Sequence, residues 1–253
     1  MAEPTYLERY LSGEYEPVWA ELVAQGERVR DEPLSSDAWA VACETMRRVR
    51  RNVEALIPRL SALGYRFGDG LFPDDPIDVE VLPGPAHLPP SPDTPARVDA
   101  LEGLVGLVPL SVRAFYHIVG AVNLVGWHPD WPLEFSPDPL YVYPLHIQLD
   151  MCSDWLMRKA AAPERAEWAA SPVMLTMAPD YDVKYGVEGD VYEMQVPDSG
   201  VDGPLLGERH STTFVNYLRI CFRWAGFPGL DQLPDASQWT SKLSALAREL
   251  QPI

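Results

Sequence analysis

Three groups of side chains have the types and spacing to do chemistry. Trp127-His128-Pro129-Asp130-Trp131 sets a histidine two residues from a carboxylate, the pairing of a general base with the group that orients it. No serine or cysteine in the sequence can be assigned to it as a nucleophile. Pro129 and Pro132 make the segment a loop whose tryptophans cover the core. If exposed, they form a recognition surface, because aromatics dominate interface hot spots. His146, Asp150 and Asp154 follow at four-residue intervals, which would stack metal-ligand types on one helix face. A further ligand would have to arrive from His128 or His210, and a polar helix face is the simpler reading. The third group is the segment 180–208, where Asp180, Asp182, Glu188, Asp190, Glu193, Asp198, Asp202 and Glu208 face Lys184. These acids lack the alternating ligands and closing glutamate of an EF-hand. They read as a solvated acidic face suited to docking a basic protein. The candidate contact residues are therefore Trp127, Asp130 and Trp131 in one loop and Asp180, Asp182, Glu188 and Asp190 in the other. No catalytic residue, metal ligand or cofactor is assigned.

Charge supports that choice. The chain of 253 residues has 37 acidic and 20 basic side chains, a formal net charge of -17. Residues 1–66 carry a net of only 2 negative charges, so 15 fall after residue 66. A phosphate backbone needs a field of the opposite sign, which disfavours nucleic acid. An acidic surface attracts basic partners instead. Cys43, Cys152 and Cys221 lie far apart without the spacing of a zinc site or a disulfide framework, and each is expected to be a small buried thiol. The first residues show no basic region followed by an apolar run, and the longest apolar stretch, 114–127, is too short to span a bilayer. These features lead us to expect a soluble cytoplasmic protein.

The elements that would position these groups follow from periodicity. Asp37 is expected to cap a helix from Ala38 to about Leu63, with Trp39, Cys43, Met46, Val49, Val53, Leu56, Leu60 and Leu63 three or four apart. Pro58 should kink or break it near Ile57. Arg47, Arg48, Arg50 and Arg51 are expected to pair with local glutamates on its solvated face. Eight prolines in the 23 positions from Pro73 to Pro95 mark extended loop, with a short strand at Ile77–Leu82. Helices are expected at 95–105, 109–119, 147–159, 212–224 and 235–250, the fourth capped by Ser211 or Thr212. Strands are expected at 65–67, 122–125, 140–143, 173–177 and 191–196, and the segment 180–190 as a hairpin or a loop with its own strand. Arg219 and Arg223, four apart, could meet internal carboxylates, and the helix that carries them reads as structural. The order of elements suits an α+β fold with a mixed or antiparallel sheet flanked by helices. Residues 1–64 form a helical N-terminal extension and 65–253 the α+β module.

Residues 98–123 resemble the SUKH superfamily, which includes bacterial immunity proteins and yeast cell-wall regulators. The matching residues are Leu101-Glu102 and Gly106, then Val108-Pro109-Leu110, Phe115-Tyr116 and the closing Gly120. Gly126-Trp127 and the strand at Leu140–Tyr143 continue in the family's order. Ala121 stands where a second glycine is common, and the N-terminal extension is a further departure. The resemblance implies an α+β fold and a non-catalytic binding role, often the neutralisation of a toxin. It transfers no site residue. Two other readings stand beside it. One is a metal-dependent or hydrolytic enzyme using His128, Asp130, His146 and Asp150. The other is a regulatory scaffold or dimer built on the helix at 38–63.

Overall fold

The structure, a computed structural model, describes residues 3–68, 84–131, 137–162, 171–232 and 238–253. The chain begins with three helices, α1 (Tyr6–Leu11), α2 (Tyr15–Ala24) and α3 (Leu34–Ala62), with a 3-10 turn at Gly26–Arg30 before α3. Thr5 and Glu8 form a capping box on α1. The two amides at its start are taken by a distant residue: the Asp37 carboxylate accepts from the Tyr6 and Leu7 N–H groups at 2.6 and 3.0 Å. Asp37 is thus a cap, but of α1 and not of its own helix.

Helix α3 runs for 29 residues without a break, starting a turn before Asp37 and passing through Pro58. Pro58 and Glu54 are both exposed. The Glu54 carbonyl that proline leaves without its amide donor therefore faces water, and the helix continues. Val41, Met46, Val49, Val53, Leu56 and Leu60 bury the inner face. The opposite face carries the arginines: Arg47, Arg48 and Arg51 all pair with Glu44, and Arg50 pairs with Glu54.

The module continues with β1 (Arg66–Phe67), β2 (His87–Leu88), α4 (Thr94–Val105), α5 (Leu110–Ile118), β3 (Ala121–Asn123), β4 (Gly126–Trp127), β5 (Tyr141–Val142) and α6 (Leu145–Ala161). Then come β6 (Val173–Pro179), a four-residue helix α7 (Tyr181–Lys184), β7 (Val191–Val196), α8 (Phe214–Arg223), a 3-10 turn at Pro228–Gln232 and α9 (Gln238–Ala247). The strands form small antiparallel sheets, β1–β4, β2–β3–β5 and β6–β7. The fold is α+β, and the pairings among the described residues are antiparallel. Helix α3 packs on α5, and its buried residues belong to the same apolar cluster as Phe115, Tyr141, Met194 and Phe214. The chain end is held there too, with the Asn52 amide exchanging two hydrogen bonds with the Gln251 main chain at 2.8 and 2.9 Å.

The stretch 98–123 sets the path between α4 and β3. Glu102 accepts from the Val108 N–H at 3.3 Å and pairs with Arg113, which closes the α4–α5 turn. Gly120 has φ +95°, and a Cβ there would lie 2.1 Å from the Leu88 carbonyl oxygen. Only glycine lets β2 reach β3 at that point.

Several expectations change. The 180–190 segment is a hairpin connection holding the short helix α7 in place of a strand. Helix α8 starts after Thr213, and its Val215 amide is capped by Asp202 from across the chain, not by Ser211 or Thr212. Arg219 donates to the main-chain oxygens of Ile253 and Tyr15 and to the Asn216 side-chain oxygen, and it forms no ion pair with an Asp or Glu side chain among the described residues. The strand expected at 77–82 lies outside the described residues. The three cysteines are free and buried.

Candidate functional site

His128 is buried, and both ring nitrogens serve the main chain. Nε2 donates to the Leu63 carbonyl at 2.7 Å, and Nδ1 accepts from the Asp130 N–H at 3.0 Å. The imidazole therefore latches the end of α3 to the 127–131 loop. The Asp130 carboxylate points outward, and its main chain, not its carboxylate, orients the ring. Trp131 lies over the core, its ring 5.2 Å from Tyr65 and 5.7 Å from Phe227. Trp127 is half-buried under the Arg66 guanidinium, 5.5 Å above its ring. The first loop thus covers the core with its tryptophans and exposes Asp130.

His146 and Asp150 are exposed on α6, away from the interior position of His128. No three His, Cys, Asp or Glu side chains among the described residues converge as a metal site. The histidine–aspartate set behind the enzyme reading is not brought together. The apolar stripe of α3 that a dimer could have used is buried in the chain's own core.

The acidic segment separates into two kinds of residue. Asp180 is structural: one carboxylate oxygen accepts from Val183 N–H at 2.9 Å and the other from Asp190 N–H at 2.8 Å, which closes the hairpin neck and caps α7. Asp202 accepts from the Ser111 hydroxyl at 2.8 Å and from the Val215 N–H, and burial raises its pKa. Glu208 is buried and binds His210 Nδ1 at 2.6 Å. Asp182 and Glu188 instead stand in solvent beside Val187, itself 59% exposed, and Asp190 is exposed as well, with one carboxylate oxygen accepting from the Val191 N–H at 2.9 Å. The expected solvated face exists, but it is confined to this tip.

Lys184, the counter-charge expected among those acids, turns inward. It is fully buried, with Nζ 2.7 Å from Asp138 Oδ1 and 4.9 Å from the Tyr192 ring centre. Asp138 is fully buried as well, and its second oxygen accepts from the Tyr192 hydroxyl at 3.1 Å and lies 3.6 Å from Arg209. Tyr185 donates to the Pro137 carbonyl. Its phenol is pushed well above its ordinary value by burial, with Tyr65, Tyr181 and Asp138 adding to the shift. The base of the tip is therefore pinned by a charged pair whose two carboxylate oxygens are taken by Lys184 and Tyr192, and it lies near Tyr65, on which Trp131 packs. Asp138 has no part in the sequence-based site. Its flanking Pro137 and Pro139 are the one local sign of a fixed loop.

The chain was compared with protein-family models, curated proteins and solved structures, and none of the three comparisons gives a match.

Proposed function

We propose that the chain is a non-catalytic cytoplasmic protein-binding module of SUKH type that neutralises a basic toxin, with the 180–190 tip as the leading contact. One observation carries this reading. Asp182, Glu188 and Asp190 present three exposed carboxylates around an exposed apolar side chain, while the one basic residue of that segment is folded into the interior. Acid left uncompensated on a braced tip gives long-range attraction for a basic surface, and Val187 supplies apolar contact once the surfaces meet. A nuclease fits this description, because a site that holds nucleic acid must be basic. The resemblance of residues 98–123 to the SUKH superfamily supports the same class, and the 15 negative charges after residue 66 support the sign of the partner.

The test is co-expression with each toxin found encoded beside this gene. The native chain should restore growth and co-purify with the toxin. The triple variant Asp182→Lys, Glu188→Lys, Asp190→Lys should keep its thermal unfolding and lose both effects. Lack of protection by the native chain against any neighbouring toxin would sink the reading.

A further inference from the structure

The described residues cover the outer face of β6–β7 only in part. Along these strands Leu175, Met177, Tyr192, Met194 and Val196 point into the core, while Met174 and Glu193 point to the side on which α6 lies. Between α6 and that face runs an open groove of about 700 Å³. Met151, Trp155 and Met174 supply its apolar lining, Asp154 and Glu193 its acidic groups, and Arg158 stands at its rim. Met151 in the groove is 41% exposed, and beside it the bridge partner of Glu193, Leu206, is 46% exposed.

The charges here differ from the buried and half-buried acids Asp138, Asp180, Asp202 and Glu208 of the module, which are paired or cap a helix. Asp154, Glu193 and Arg158 form no ion pair or side-chain hydrogen bond among the described residues. Glu193 is half-buried, and the cost of holding its charge there, with Asp190 adding repulsion, raises its pKa. A carboxylate partly removed from water gains most from an arriving cation, and the methionines beside it adapt to varied apolar shapes.

We propose that this groove binds a short peptide segment of a partner protein in which an apolar side chain adjoins a basic one. The apolar side chain lies against Met151, Trp155 and Met174, and the cation meets Glu193 and Asp154. Arg158 at the rim serves a main-chain carbonyl of the same segment. This deepens the binding-module reading and rests on it for the source of the peptide.

Methionine-methyl NMR on the whole protein tests it, with Met46, Met177 and Met194 as buried reporters of an intact fold. The probe is acetyl-Leu-Arg-Leu-Arg-amide, with acetyl-Leu-Glu-Leu-Glu-amide as the charge control. The basic peptide should shift Met151 and Met174 saturably while the buried signals hold. Glu193→Gln should weaken that binding by about fivefold, the scale of one partly screened ion pair. The acidic peptide should shift neither signal. Absence of a shift at several millimolar peptide, an equal response to the acidic peptide, or equal affinity in Glu193→Gln overturns the proposal. The pair Asp182→Lys, Glu188→Lys, which leaves the groove intact, should bind the peptide as the native chain does. Peptide binding without toxin protection keeps the groove and removes the toxin reading. Protection without peptide binding does the reverse.

Discussion

Lys184 and Asp138 meet at 2.7 Å with neither side chain exposed, although they stand 46 positions apart with α6 and β6 between them. Two charges taken out of water hold together only when their remaining hydrogen bonds are made. Here Tyr192 and Arg209 serve the second carboxylate oxygen, and the Tyr192 ring lies beside the ammonium. The pair joins the loop before β5 to the base of the acidic tip, so its effect on function is through the position of Asp182, Glu188 and Asp190.

Asp138→Ala should therefore cost about 3–5 kcal/mol, because it leaves a buried ammonium without its counter-ion. The double variant Asp138→Asn, Lys184→Met should lose less than the two single changes together. Urea unfolding of the four proteins gives the coupling directly. A double variant no more stable than the sum of the singles would show that the pair is not coupled. Hydrogen exchange should also quicken at 181–187 in Asp138→Ala.

The Asp37 carboxylate caps a helix that begins 31 residues earlier. Asp37→Ala should cost about 0.5–2 kcal/mol, the range for a lost cap. The Tyr6 and Leu7 amides should lose their exchange protection first. If Asp37 capped its own helix instead, protection would fall near Ala38.

These two contacts mark where the sequence stops being informative. The helical stripe of α3 and the amphipathic face of α8 repeat every three or four residues, so periodicity finds them. Gly106 and Gly120 end helices at positions that punctuation alone indicates. Asp37 looks like a local cap because an acid before an apolar stripe usually is one, and nothing local says that its partner is Tyr6. Asp138 carries no periodic signal at all, since what fixes it is a lysine, a tyrosine and an arginine brought in by the fold. In the candidate site, the acids of the tip were legible as a charged segment. That Lys184 leaves them and that Asp180 and Glu208 are committed to hydrogen bonds depends on tertiary contacts. Glu193 was legible only as one acid among eight, because its groove is made by α6 from the other side.

Gly120→Ala places a Cβ at φ +95° and 2.1 Å from the Leu88 carbonyl oxygen. Backbone strain of this kind costs about 1–3 kcal/mol before any displacement of β2 is counted. The urea midpoint should fall by at least that much, and the His87 and Leu88 pairing with β3 should show the largest chemical-shift changes. A Gly103→Ala control, where nothing lies within 4 Å of the added Cβ, should be neutral or slightly stabilising.

His117 gives a pH signature. Its pKa is lowered, first by burial and then by Arg113, with Asp99 and Glu102 opposing, and its ring meets Trp39 edge-on at 5.9 Å. The unfolded chain therefore binds a proton at this residue more readily than the folded one. Stability should be insensitive to His117 well above the ordinary value of about 6.5 and should fall as the pH drops through 6.5 toward the lower folded value. The chain has four other histidines, His87, His128, His146 and His210, so the difference between two proteins is the quantity to measure. Unfolding free energies of the native chain and of His117→Asn, taken from pH 8 to pH 5, should run parallel above about 7 and converge or cross below 6. Parallel curves throughout would show that His117 takes up its proton equally in both states. The carboxylates Glu21, Glu32 and Asp93, which ion pairs and hydroxyl hydrogen bonds hold below their usual values, act only at lower pH, and Asp202 and Glu193, which burial raises, are common to both proteins and cancel in the difference.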